Sequence, residues 1–477
     1  MTPLVMVMVM MVMVMGEEDI KPAPVICSMC ECLGTTPFDV DCTTTDLTEV
    51  PPMTSDNFTI PWVLDFSNNQ IHDVPMFPVL PNLIAIKFKR NVITHIADMA
   101  FINLPDLKTL DLQNNNLTEE ALGEEIFKGP YNDTFKDPIG LQELDLSYNN
   151  IRTLLSHTLH HLPFLRRLFL SHNPLRDISW AMATAITELR NLEELDLSQT
   201  QLDRLPSHFI TELKHLRVLT LAGNKLTSVP SEVNYAHNLQ LLNLNANPIV
   251  TLSVGDFQAG LATLRELQLS AMPHLRSVGK ETFSSLTNLE VLRMSDNPEL
   301  SILDPEAFYL MHGDEIALQE IHLQDNHLTT LSETLLPWLQ LRYVDLQNNP
   351  WNCDCNLKWI ATTLIPDLEN KNPETTLSIM CAEPIADRGM KMADILYHSH
   401  SFLCMAPQPY VNNKTPGALI VATIVIGVIV LLTATMIFSY VLYRRTRDRQ
   451  LFGERVKYRR AQNEEEEQGG VSHTVQS

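Results

Sequence analysis

Glycine is scarce in this chain, 16 of 477 residues, which excludes collagen-like and glycine-rich low-complexity architectures. Basic residues are also few, with 34 Lys and Arg against 57 Asp and Glu and a formal charge of −23. Too few cations are available to neutralise a phosphate backbone, so a nucleic-acid partner is not expected. Catalytic signatures are missing as well. The chain has no nucleophile elbow and no phosphate-cradling glycine loop. His160 and His161, or His398 and His400, could ligate a metal, but no glutamate stands near them at the spacing of a zinc-hydrolase helix. Exposed histidines are the simpler reading, so no enzyme activity, catalytic residue, metal or cofactor is expected. Cysteine is absent between Cys42 and Cys353.

Leucine is what the chain has in excess, far above any other residue type, and one residue dominating so heavily suggests repetition. Apolar residues recur at positions 1, 4, 6 and 11 of a unit with Asn at position 9. The clearest copies are Leu107-x-x-Leu110-x-Leu112-x-x-Asn115-x-Leu117 and Leu216-x-x-Leu219-x-Leu221-x-x-Asn224-x-Leu226. The position-9 Asn recurs at Asn69, Asn91, Asn149, Asn173, Asn247, Asn297, Asn326 and Asn349, with Thr200 and Met272 replacing it in two further copies. Twelve copies at a mean step of about 25 residues are the leucine-rich-repeat signature, which predicts an α/β solenoid, a horseshoe with parallel strands on its concave face.

The spacing has a physical meaning. Positions 4 and 6 alternate with 3, 5 and 7, so a short strand turns its leucines inward and its polar residues outward. The Asn amide, placed where the chain leaves the strand, can donate to and accept from backbone groups of adjacent turns. Met272 cannot, so the asparagine ladder should break there or be bridged by water. Phe101, Phe209, Phe257, Phe283 and Phe308 fall at matching places in the return segments and read as core filling. The step from Asn115 to Asn149 is clearly longer than the others, which puts Glu119–Gly140 on a loop.

The ends suggest a compartment. The apolar run Leu4–Met15, followed by Gly16 and the acidic Glu17, reads as a secretory signal peptide. Ala418–Tyr443 carries no charge and is followed by Arg444-Arg445-Thr446-Arg447. That pattern predicts one transmembrane helix with its C-terminal side in the cytoplasm. Residues 444–477 carry a net +2, leaving −25 for the remainder. Glu464–Glu467 and the polar residues after them read as disordered. The tail 444–477 is too short for a signalling domain.

The eight cysteines form two groups of four that flank the repeats, and an even count in an exported chain implies disulfides. Four cysteines allow three pairings per group, and spacing does not choose among them. Cys27-x2-Cys30-x-Cys32-x9-Cys42 resembles the N-terminal cap of extracellular leucine-rich-repeat proteins. Asn349-Pro350-Trp351-Asn352-Cys353-Asp354-Cys355 resembles the C-terminal cap of Slit-type and Toll-type ectodomains. The resemblance covers about residues 27–404 and implies the pairs Cys27–Cys32, Cys30–Cys42, Cys353–Cys381 and Cys355–Cys404. Together with the end segments, this gives a domain plan: signal peptide 1–16, N-terminal cap 27–59, twelve repeats 60–349, C-terminal cap 350–404, stalk 405–417, transmembrane helix 418–443 and cytoplasmic tail 444–477.

Single-pass members of this family bind other proteins along the concave strand face. The resemblance therefore implies a plasma-membrane type I recognition or adhesion receptor for an extracellular or cell-surface protein, with self-association or a co-receptor as further possibilities. The alternative is an auxiliary subunit of a channel or larger receptor. Acidic residues recur at the outward positions: Asp111, Glu143, Asp145, Glu194, Asp196, Glu266, Glu320 and Asp345, with Lys87 and Lys89 as a basic exception. Val218, Thr220 and Leu241 put small or apolar groups there, and Phe169 an exposed aromatic. The candidate ligand contacts are Asp145, Phe169, Asp196, Val218, Thr220 and Leu241. Sequons predict glycans at Asn57, Asn116 and Asn132, while Asn413 lies too near the membrane for efficient modification.

Overall fold

A computed structural model describes residues 25–34, 37–53, 59–132, 135–136, 138–309, 317–397, 402 and 417–468. The expected signal peptide, the Asn57 and Asn413 sequons, His398, His400 and Cys404 lie outside them. The chain divides into two compact units, residues 1–403 and 404–477.

The first unit is a solenoid built on a 14-stranded sheet whose strands follow one another in chain order. It opens with the antiparallel pair Glu31–Gly34 and Phe38–Asp41, and every later pairing is parallel. Twelve of the strands, from Trp62–Asp65 to Tyr343–Asp345, correspond to the twelve copies. Each is only three to five residues long because the coil must turn away after position 6. In register, Leu110, Leu144, Leu168, Leu195, Leu219, Leu242, Leu267 and Leu292 stack on one another. All are fully buried. The return segments are mostly extended chain and single turns of 3-10 helix; the longest helix there is Trp180–Thr187, whose N-cap Ser179 accepts from the Met182 N–H.

The asparagines do what their amides allow. Asn149 Nδ2 donates to the carbonyls of Leu112 and Leu146, both at 3.0 Å, and its Oδ1 accepts the Leu117 N–H at 3.0 Å. Asn91, Asn115, Asn173, Asn247 and Asn349 repeat this arrangement. Thr200 keeps part of the role, its buried hydroxyl donating to Leu197 O, while Asn224 Oδ1 collects the Thr200 and Leu202 N–H groups. At Met272 the ladder is rebuilt. Met272-Pro273-His274-Leu275 and Asn297-Pro298-Glu299-Leu300 each hold one residue more than the unit before their apolar residue. There the next asparagine reaches the position-9 N–H itself: Asn297 Oδ1 accepts from Met272 and Asn326 Oδ1 from Asn297.

The residue before each ladder position has a left-handed backbone, φ between 55° and 65°, from Asn68 through Asn348. Only Gly223 among these twelve is a glycine. The others hold the conformation because their N–H groups are committed to carbonyls of the next coil, as with Arg90 to Gln113 and Tyr148 to Ser171. Fixing both ends of the turn offsets the cost of left-handed backbone.

The return-segment phenylalanines are buried, and the rings form two stacks rather than one. Phe101 stacks on Phe77 and Phe127, and Phe257, Phe283 and Phe308 form the second. Phe209 is buried without belonging to either. The long step after Asn115 is only partly a loop. Leu122, Ile126 and Phe127 return to the core, and the surplus is spent on a small hairpin, Tyr131–Asn132 with Phe135–Lys136. Register is unaffected, since Leu110 still pairs with Leu144.

Both ends are capped. Cys27 is bonded to Cys32, Cys30 to Cys42 and Cys353 to Cys381. Cys355 is also disulfide-bonded. In the C-terminal cap, Trp351 is fully buried with its Nε1 donating to Leu346 O at 3.1 Å. Leu357, Ile360, Leu364 and Leu368 complete the apolar cover.

The described residues of the second unit form one helix, Gly417–Gln468, in which Ile424–Arg449 is long and apolar enough to cross a membrane. Glu464–Glu467, expected to be disordered, are part of this helix. The run from Arg455 is dominated by Arg, Lys, Glu, Gln and Ala, all good helix formers, and it continues an existing helix, so no new nucleus is needed.

Candidate ligand-binding face

The strand face carries the candidate contacts. Asp145, Phe169, Asp196, Val218, Thr220 and Leu241 lie on five consecutive strands, and all are partly exposed. Cross-strand register makes Asp145, Phe169, Asp196 and Thr220 direct neighbours in one row. Val218 pairs with Leu241 in the next row, between Glu194 and Glu266. At about 4.8 Å per step the five strands make a patch about 19 Å across. Phe169, paired with Asp145 on one side and Asp196 on the other, is half-buried rather than exposed.

The acidic reading needs two corrections. Asp345 is only 6% exposed and is not available on the open face. Arg167 and Arg293 stand at the same outward positions and offset the negative charge. Arg167 pairs with Glu143, Arg342 with Glu320, and Arg293 Nε with Glu266 Oε1 at 3.1 Å. Lys87 Nζ lies 3.3 Å from Asp65. Arg293 also reaches His322 Nε2 at 3.0 Å, and the imidazole stacks on Tyr343 with 4.7 Å between ring centres. Burial, and then the neighbouring Arg293 charge, pull the His322 pKa down.

The aspartates have a structural task as well. Asp65, Asp111, Asp145, Asp196 and Asp345 each accept the N–H two residues on, turning the chain off the strand. This engages Oδ1 in the turn; Oδ2 of Asp345 also accepts from Gln347 Nε2, and Oδ2 of Asp65 faces Lys87. Burial pushes the carboxyls of Asp111, Asp145, Glu194 and Asp345 above their ordinary values. For Asp145 the Ser147 hydroxyl and N–H act against that rise, and the Asp111 charge on the adjacent strand adds to it. A carboxyl whose pKa is raised by folding destabilises the fold once ionised, and this penalty fades as pH falls through the folded value towards the unfolded one. Asp145→Asn, which keeps an acceptor for the Ser147 N–H, is therefore expected to melt above the unaltered chain at pH 7, with the gap closing by pH 4. Thermal unfolding at the two pH values checks this.

Asn116 is exposed, and Asn132 belongs to the hairpin. The clustered histidines are in a return segment. His160 Nδ1 lies 3.1 Å from Glu188 Oε2, and its ring meets those of His157 and His161 edge to face. Sequence spacing missed Glu188 because it comes from the following repeat.

A family profile described as Leucine rich repeat matches residues 62–117, 132–175, 190–249, 214–273 and 262–313. Tsukushi of Gallus gallus is 32% identical over 267 residues, 51% of this chain and 68% of its own length. The chain belongs to the leucine-rich-repeat family. Among other leucine-rich-repeat relatives, lumican of Bos taurus is 30% identical over 55% of this chain and 77% of its own length. Podocan of Mus musculus is 28% identical over 56% of this chain and 48% of its own. A solved structure of a TLR13–ssRNA13 complex is similar at a TM-score of 0.47 and 25% identity, covering 68% of this chain and 51% of that one.

Proposed function

We propose that this chain is a single-pass type I receptor of the plasma membrane that binds an extracellular protein through its leucine-rich-repeat strand face, with the domain plan 1–16, 27–59, 60–349, 350–404, 405–417, 418–443 and 444–477. The observation that carries the reading is the patch itself. Phe169, Val218 and Leu241 place apolar surface among Asp145, Glu194, Asp196 and Glu266. An apolar centre with a charged rim suits a protein partner that brings its own apolar group and basic side chains. Kinship with Tsukushi and lumican and the Ile424–Arg449 helix support the reading without choosing the ligand. An open face of strand residues whose aspartates are already engaged in turns suits binding rather than catalysis.

The test is a screen of the full chain, displayed on cells, against secreted and cell-surface proteins including itself. Absence of any protein partner sinks the receptor reading. For a partner so found, charge reversal at Asp145 and Asp196 to lysine is expected to lower the on-rate about tenfold or more at low ionic strength, with the loss shrinking in high salt. An unchanged on-rate would reduce the acidic row to its turn-forming task. Replacing the helix and tail by a lipid anchor separates the auxiliary-subunit alternative: recognition survives the exchange, whereas modulation of a channel does not.

A further inference from the structure

The strand face uses none of the clustered histidines. His157 and His160 stand three residues apart on one turn, held by the His160 N–H donating to His157 O at 3.1 Å. Glu188 is the C-cap of helix Trp180–Thr187 in the next repeat, and its own N–H is fixed on the Thr184 and Ile186 carbonyls. All three backbones are thus anchored while the side chains face solvent, with both imidazoles exposed and the carboxylate partly so. One ligand atom from each of His157, His160 and Glu188 lies within 4.8 Å of the other two.

We propose that His157, His160 and Glu188 bind one divalent transition-metal ion of the zinc class. Ligand atoms about 2.0–2.1 Å from a tetrahedral zinc sit roughly 3.4 Å from one another. Closing from at most 4.8 Å requires each exposed side chain to shift by less than about an ångström, which rotation about its own bonds supplies. Two imidazoles and one carboxylate select zinc or copper over calcium and magnesium, which prefer all-oxygen sites. The fourth position is open to water. His160 Nδ1 and Glu188 Oε2 already lie 3.1 Å apart, about the spacing of two ligand atoms on one ion. A groove of about 600 Å³ runs beside the cluster, where Arg190 and Lys214 oppose a cation and Glu212 offsets one of them. Because the ligands come from adjacent repeats, the ion would cross-link neighbouring coils.

The test is calorimetric titration of Zn²⁺, and of Mg²⁺ for comparison, into the full chain in nanodiscs. The expected result is a site that prefers Zn²⁺ to Mg²⁺, that Cu²⁺ occupies more tightly still, and that His157→Ala, His160→Ala and Glu188→Ala each weaken about tenfold or more. His95→Ala, at an exposed histidine elsewhere, should leave the affinity unchanged. Zinc binding no stronger than that of magnesium overturns the proposal, as does full affinity in the His157 or His160 variant. All three positions lie at the surface, so circular dichroism of each variant should match that of the unaltered chain.

Discussion

Asn149→Leu is expected to destabilise the solenoid by about 2–4 kcal/mol and to lower its melting temperature by several degrees. Leucine has the branching and heavy-atom count of asparagine but bulkier methyl groups, so some crowding adds to the polar loss. Nδ2 stops donating to Leu112 O and Leu146 O, and Oδ1 stops accepting the Leu117 N–H. The two carbonyls retain second partners, since Asn115 Nδ2 also serves Leu112 O and Asn173 Nδ2 serves Leu146 O. The Leu117 N–H loses its acceptor. Asn149 is 5% exposed, so water cannot readily take over, and one orphaned donor with two weakened acceptors accounts for the range. Urea unfolding followed by circular dichroism measures it. A loss below about 0.5 kcal/mol, the level of an ordinary surface change, would show that the ladder is not what holds this turn.

Removing the Cys353–Cys381 bridge by the double change Cys353→Ala and Cys381→Ala should cost about 3–4 kcal/mol on the chain-entropy relation for its 28-residue separation. The effect should be local first. The cap seals the end of the leucine stack with Trp351, Leu357, Ile360 and Leu364, and a solenoid's end has a neighbour on one side only. Amide exchange at Val344 and Leu346 should therefore accelerate well before that at Leu144 and Leu146. Uniform exchange rates along the chain would show that the cap is not a separate lock. The double variant avoids leaving one free thiol to form mixed disulfides.

Much of this architecture was legible because the repeat is redundant. Twelve copies of one spacing reveal the inward leucines, and the asparagine's position after the strand reveals its polar task. Met272 was legible as a break, but not the repair. Asn297 of the next coil accepts the Met272 N–H, as Asn224 does that of Thr200, a contact that only the folded turn displays. The acidic face was half legible. Aspartates at outward positions could be read, whereas their commitment to N–H groups two residues on, and the burial of Asp345, depend on how adjacent coils pack.

The solenoid, the number of its coils, the cysteine-rich caps and the apolar helix beyond them are all written in the order of residues, because each is encoded by spacing within a short stretch of chain. Which outward residues become neighbours is settled by folding alone. Asp145, Phe169, Asp196 and Thr220 share a row although each comes from a different repeat, and Glu188 meets His160 across the boundary between two coils. Register across a solenoid is set by stacking the leucines of successive coils, not by the length of chain between them. The hairpin formed by Tyr131–Asn132 and Phe135–Lys136 displays this most directly: surplus chain is looped out, Leu144 still lies against Leu110, and the face continues without a step.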